Sequence, residues 1–255
     1  MLETENINLA IKRIGVVENE DGSDLMAQAQ EIERIKAVYA HRQSHALYSF
    51  FEPSYRFLAQ EREHKLLQAL SKRGFSQLEN ARILEVGCGT GAWLRDFIRW
   101  GARPENLWGV DLLPSRIAEG KRLCPAEVTL HCQNSANLEV PDGSFDLVLQ
   151  STVFTSILDA EMKRLLAKEM IRVVHKDGLI LWYDFHVNNP ANPDVRGVGK
   201  SEIKQLFPNC KVSLRKLTLA PPIGRRVAPI STLLYKALSQ IKPLCTHYLG
   251  IITKL

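Results

Sequence analysis

No stretch of this 255-residue sequence approaches the roughly 18 consecutive apolar residues of a membrane span, so none is expected. The opening residues, Met1-Leu2-Glu3-Thr4-Glu5-Asn6, are acidic and lack the basic-then-apolar order of a secretory leader. Cysteine is sparse: five residues, at 88, 124, 132, 210 and 245, with no C-x-x-C pair. That pattern offers no zinc site and suits a reducing cytoplasm, the expected location. Repeats and low-complexity tracts are missing. Acidic side chains almost vanish toward the end. Residues 200–255 hold ten Lys or Arg against Glu202 alone, a local charge of +9 within a total of +5. The basic segment is either a solvated face or a rim that attracts an anionic small molecule or a membrane surface. No aromatic-rich basic stretch accompanies it, so nucleic acid is the weaker partner. No feature of the sequence sets an oligomeric state.

What is present is concentrated between residues 81 and 111. The apolar run 81–86 is a buried-strand candidate, and Gly87, Gly89 and Gly91 follow at alternate positions. Such a run lets the backbone turn sharply and approach a ligand closely. Residues 92–98 then resume helical spacing, which places the glycines on a strand-to-helix turn. Asp111 ends a second apolar run 20 positions after Gly91, where a carboxylate can accept from both hydroxyls of a ribose. Gly87-x-Gly89-x-x-Ala92 also satisfies the relaxed dinucleotide fingerprint. Glu85, two residues before the first glycine, would however repel a pyrophosphate, whereas it suits an ammonium.

The string Leu84-Glu85-Val86-Gly87-Cys88-Gly89-Thr90-Gly91 resembles the class I S-adenosylmethionine-dependent methyltransferases, especially the ubiquinone-type and biosynthetic branch. Three further segments carry the resemblance: Gly109-Val110-Asp111, the run from Pro141 to Val148, and the run from Glu169 to Gly178 leading into Leu179-Ile180-Leu181. It extends from about Arg82 to Phe185. It implies an α/β, Rossmann-like, seven-stranded and mostly parallel sheet in the order 3-2-1-4-5-7-6, flanked by helices and covered by an N-terminal helical lid. The division expected is a 1–74 extension and cap followed by a 75–255 methyltransferase domain.

The resemblance assigns S-adenosylmethionine as cofactor. Gly87, Gly89 and Gly91, with the small Cys88 in the turn, lie beneath its methionine part. Glu85 reaches its ammonium directly or through water, or else is a structural carboxylate. Asp111 holds the ribose and Leu112 lies against the adenine. The usual Gly-Asp-Ala adenine-edge motif stands here as Gln133-Asn134-Ser135, a departure in which Asn134 can both accept and donate. Gln150, at a strand end, contacts the methionine moiety or supports a residue that does.

Methyl transfer is an in-line displacement, so the protein must mainly align the nucleophile and exclude water. A hydroxyl acceptor also gains from a base such as histidine. His186, just past the strand 179–185, is the candidate base, with a hydrogen-bonded loop histidine as the alternative. Tyr48, Tyr183 and Asn188 are candidate contacts to the acceptor. His41 and His45 stand at i, i+4 spacing without further ligands, so no metal is expected. The Asn/Asp-Pro-Pro-Tyr/Phe motif of base-amine methyltransferases is missing from 149–154. The expected activity is methylation of a small molecule, with O-methylation favoured and an anionic acceptor suggested by the basic segment. An RNA methyltransferase, a non-catalytic cofactor-binding protein and a dehydrogenase are the alternatives.

Elsewhere, helices are expected over 25–39, 60–72, 114–123, 160–174 and within 225–241, with a short one after a Ser201 cap. Strands are expected over 127–131, 145–150, 179–185, 211–219 and 247–253. An alternating piece at 11–17 precedes a linker.

Overall fold

The computed structural model describes residues 22–40 and 48–255; residues 11–17, His41 and His45 lie outside them. Two helices come first, α1 (Gly22–Ala40) and α2 (Pro53–Ser71). Strand β1 (Ile83–Val86), helix α3 (Ala92–Arg99), β2 (Leu107–Asp111), α4 (Pro114–Leu123) and β3 (Thr129–Cys132) follow. Next are β4 (Phe145–Ser151), α5 (Ala160–Val173), β5 (Val174–Phe185), α6 (Lys200–Leu206) and β6 (Cys210–Leu219). Two short helices, α7 (Pro221–Val227) and α8 (Thr232–Ser239), precede the last strand β7 (Cys245–Lys254).

The strands form one sheet in the order β3-β2-β1-β4-β5-β7-β6. All pairings are parallel except those of β7, which runs antiparallel between β5 and β6. Interior strands with helices on both faces are apolar on both sides, and all four residues of β1 are buried. Alternation along β5 divides the core. Ile180 and Trp182 pack with Ile32 and Ile35 of α1, Leu166 and Met170 of α5, and Ile203 of α6. Leu179, Leu181 and Tyr183 pack on the other face with Leu66 and Leu70 of α2 and Trp93, Leu94 and Phe97 of α3. Both layers converge on the carboxyl ends of β1, β2 and β4, where such sheets hold their ligands.

Local differences from the sequence reading have identifiable causes. Pro53 starts α2 seven residues earlier than periodicity indicates, because its fixed φ suits a first helical position. The Asp177-Gly178 pair is not a turn before a strand. Strand β5 already begins at Val174, and the pairing jumps from Phe145↔Val174 to Leu147↔Leu179, so the extra residues form a bulge. A Cβ on Gly178 would lie 2.7 Å from the Asp146 carbonyl oxygen, which is why glycine stands there. Ser201 is not a cap: α6 starts at Lys200 behind Gly199, placing Ser201 within the first turn. The single helix expected within 225–241 is two. Pro229 separates α7 from α8, and Ser231 restarts the chain by accepting from Leu234 N at 3.2 Å.

Candidate functional site

The glycine turn leaves β1 with Gly87, Gly89 and Gly91 all at positive φ (66°, 55° and 73°). Two of them differ in what surrounds them. A Cβ on Gly87 would collide with Val153 Cγ2, whereas one on Gly89 would meet none of the described residues. We therefore expect Gly87→Ala to lower stability by about 2–4 kcal/mol, from left-handed strain plus overpacking. Gly89→Ala is expected to lose only the strain, about 1–2 kcal/mol, while obstructing whatever lies against the turn. Denaturant midpoints and ligand titrations of the two variants check this contrast.

Asp111 ends β2 beside that turn. Its Oδ2 accepts from Gly89 N at 2.8 Å and its Oδ1 from Leu113 N at 2.9 Å, so the carboxylate is fixed from both sides. Burial raises its pKa, against the lowering effect of those two N–H groups. Glu85 is 2% exposed, and its Oε2 has no hydrogen-bond partner among the described residues. Burial, and then the charge of Asp111, hold the Glu85 carboxyl well above its ordinary range. Arg62 of α2 lies nearby, its guanidinium 4.3 Å from the Trp93 ring centroid and 5.3 Å from that of Tyr183. Its buried Nε also lacks a partner among the described residues. A buried acid and a half-buried guanidinium, each with one buried polar atom unused among the described residues, match a ligand bearing an ammonium and a carboxylate on one head.

A cavity of about 600 Å³ opens over the turn, within the size range of small-molecule sites. Of the residues expected from sequence, Gly87, Gly89, Asp111, Leu112, Asn134, Ser135, Tyr48 and Tyr183 line it. Glu85, Cys88, Gly91 and Gln150 do not reach its wall. Burial pushes the Cys88 thiol up, so it stays protonated. Gln150 is fully buried, with Oε1 accepting from Val153 N at 3.2 Å and Nε2 unpartnered among the described residues. The Asn134 amide oxygen accepts from Ala136 N at 3.0 Å, so it shapes its own loop.

Two expected residues are displaced from the site. His186 is not on the cavity wall: its Nε2 bonds to the Cys245 carbonyl at 2.9 Å and its ring lies over Tyr248. Strand alternation is the reason. Tyr183 and Phe185 face the cavity, and the next residue turns away. Asn188 likewise faces its own loop, its Oδ1 accepting from Gly197 N at 2.9 Å.

Among the described residues, the histidine that lines the cavity is His247 on β7, opposite Phe185 and stacked on Tyr183 with centroids 4.8 Å apart. Its Nδ1 is 3.0 Å from Thr246 Oγ1. Burial, with Arg62 adding repulsion, pushes its pKa down to about 3, so the imidazole is neutral near pH 7. Tyr183 presents its ring only, because its hydroxyl is tied to Thr218 Oγ1 at 2.7 Å. Burial also raises Asp184 to about 7, but that side chain bonds Thr155 and supports the wall from behind. Arg62, Arg225 and His247 were not singled out from sequence. No local motif marks them, and the register of β7 on β5 is what brings His247 inward. Among the described residues, no group of three His, Cys, Asp or Glu side chains is placed to hold a metal.

Comparison with known proteins agrees with this geometry. Residues 83–178 match the family model described as a methyltransferase domain. A 2-methyl-6-phytyl-1,4-hydroquinone methyltransferase from Synechocystis sp. (strain ATCC 27184 / PCC 6803 / Kazusa) is 28% identical over 128 residues, covering 49% of this chain and 38% of that protein. A tRNA N(3)-cytidine methyltransferase from Gallus gallus is 30% identical over 112 residues, covering 41% of this chain and 30% of that protein. The chain thus aligns with well under half the length of these curated relatives. A geranyl diphosphate C-methyltransferase from Streptomyces coelicolor A3(2), solved with S-adenosyl-L-homocysteine, superposes with a TM-score of 0.59 at 16% identity, covering 87% of this chain and 97% of that one. Residues 83–178 thus match a methyltransferase domain, and the glycine turn with its anchored acid and the sheet order are similar to those of the class I S-adenosylmethionine-dependent methyltransferases.

Proposed function

We propose that this protein transfers a methyl group from S-adenosylmethionine to a small molecule bearing a hydroxyl and an anionic group. The observation that carries the reading is the pair of unused buried atoms, Glu85 Oε2 and Arg62 Nε, beside an open glycine turn. In this reading Glu85, set behind the turn, takes the ammonium of the cofactor through water, while Arg62 takes its carboxylate and Asp111 its ribose hydroxyls. Leu112, Asn134 and Ser135 border the adenine, while Gly87 and Gly89 give the close approach. The bound sulfonium supplies a methyl that already carries its leaving group. What remains for the chain is to orient the acceptor and keep water out. Side chains of α1, α2 and α7 close the cavity over the sheet.

His247 then takes the hydrogen bond of the acceptor hydroxyl. Its neutral form is the accepting one, and with Nδ1 beside Thr246 its Nε2 is left for the acceptor. Arg225 and Arg116 on the same walls favour an anionic acceptor. Incubation of the protein and cofactor with a panel of hydroxylated anions, read by mass spectrometry for a gain of one CH₂, tests the activity. Failure across such a panel with intact cofactor binding would leave only a binding protein and reject the enzyme. We expect His186→Ala to keep turnover within about twofold of wild type, since His186 does not line the cavity. His247→Phe keeps the ring stack and loses the nitrogen, and kcat should fall at least about tenfold with cofactor affinity unchanged. Wild-type turnover by the phenylalanine variant removes His247 from the reaction.

A further inference from the structure

Helix α8 is apolar on both sides, although among the described residues only one side packs. Its inner face is complete: Tyr235 is 3% exposed against Phe57, with ring centroids 5.1 Å apart, and Leu238 packs beside it. The outer face carries Leu233 at 80% exposure and Leu234 at 48%, flanked by Ile230 at 81% and Ile241 at 46%. Four bare aliphatic side chains within twelve residues exceed the scattered exposure normal on a soluble surface. The polar residues interleaved with them are of one sign. Arg226, Lys236 and Lys242 are exposed, and no Asp or Glu occurs anywhere after Glu202.

We infer that this cap, from Arg226 to Lys242, is a docking surface for the headgroup region of an anionic lipid bilayer. Exposed aliphatic tips between cations are the composition of an interfacial helix, whose apolar side chains enter the acyl boundary while the cations meet acidic headgroups. An RNA would gain nothing from Ile230 and Leu233, which offer no stacking surface. A helix of this length cannot span, and among the described residues none is long and apolar enough to do so. The same cap walls the cavity through Tyr235, so docking brings the site close to the membrane surface. The inference does not depend on which acceptor is methylated.

The test is co-sedimentation of the full chain with vesicles of phosphatidylcholine, alone or mixed with phosphatidylglycerol. The protein is expected to partition onto the mixed vesicles, and less so as salt is added. Arg226→Gln and Lys236→Gln should each weaken partitioning about fivefold. The double variant Ile230→Glu with Leu233→Glu should weaken it more than tenfold. All four positions are exposed, so melting temperature and S-adenosylhomocysteine affinity should stay at wild-type values. Failure to bind the anionic vesicles overturns the inference, as does binding that these variants leave unchanged. A vesicle-free dimer that Leu233→Glu converts to monomer, without any lipid partitioning, assigns the face to a second copy instead.

Discussion

Asp111→Ala is expected to weaken S-adenosylhomocysteine binding by about 10- to 100-fold. The expectation rests on a carboxylate with two duties. Each oxygen already accepts one backbone N–H, from Gly89 and from Leu113, which holds the group rigid at the end of β2. A carboxylate has about four acceptor positions, so two remain for a pair of neighbouring hydroxyls. Hydrogen bonds to a charged acceptor contribute about 1.5–3 kcal/mol, which sets the magnitude. Alanine also strands both N–H groups in a buried site, at about 1–3 kcal/mol each, so stability should fall as well. Asparagine separates the effects only in part. Its amide oxygen can serve one N–H, but its NH₂ then faces the other donor. Titration calorimetry with the product, beside a denaturant midpoint, distinguishes lost affinity from lost fold. An alanine variant that is folded and binds within twofold of wild type rejects the ribose assignment.

Different parts of this structure were legible in the sequence to different degrees, for physical reasons. The glycine turn and Asp111 could be read because backbone geometry dictates residue type there: positive φ selects glycine, and a strand end beside it leaves room for one acid. The strand order came with the family resemblance rather than from periodicity, which cannot say that β7 slips between β5 and β6. That insertion decides which side chains of β5 and β7 meet at the cavity. It puts His247 opposite Phe185, on the cavity wall, and ties His186 to the Cys245 carbonyl. Arg62 was hidden for another reason. It sits on a helix whose pattern reports only packing, and its place over Trp93 and Tyr183 arises from α2 lying across α3 and β5. Ser201 and the Asp177-Gly178 pair show the local limit, since a capping or turn residue one position off the real boundary reads just as well.

Glu85→Gln should have opposite effects on the free protein and on the complex. In the free protein, burial and the neighbouring Asp111 charge favour the protonated acid, against Arg62 and Arg95. The unfolded chain ionises this group near its ordinary pKa of 4.5, before the folded one does. Above that pH the unfolded state therefore holds fewer protons, and stability declines as pH rises toward the raised folded pKa. Glutamine keeps the shape and cannot ionise, so the free variant should melt higher than wild type at pH 7, with the gain fading toward pH 4.5. Ligand binding should reverse the preference. An incoming ammonium favours the carboxylate, so below the raised folded pKa wild-type binding releases a proton and tightens as pH rises, while the ligand's own amine, with a pKa of about 8, stays protonated. The variant loses that charge-assisted contact, about 1.5–3 kcal/mol, so its dissociation constant should rise about 10- to 100-fold. Its binding should also release less proton. Calorimetry in two buffers of different ionisation enthalpy measures the proton count directly. Wild-type binding that is flat in pH and matched by the glutamine variant would make Glu85 a structural acid, leaving the ammonium to another group.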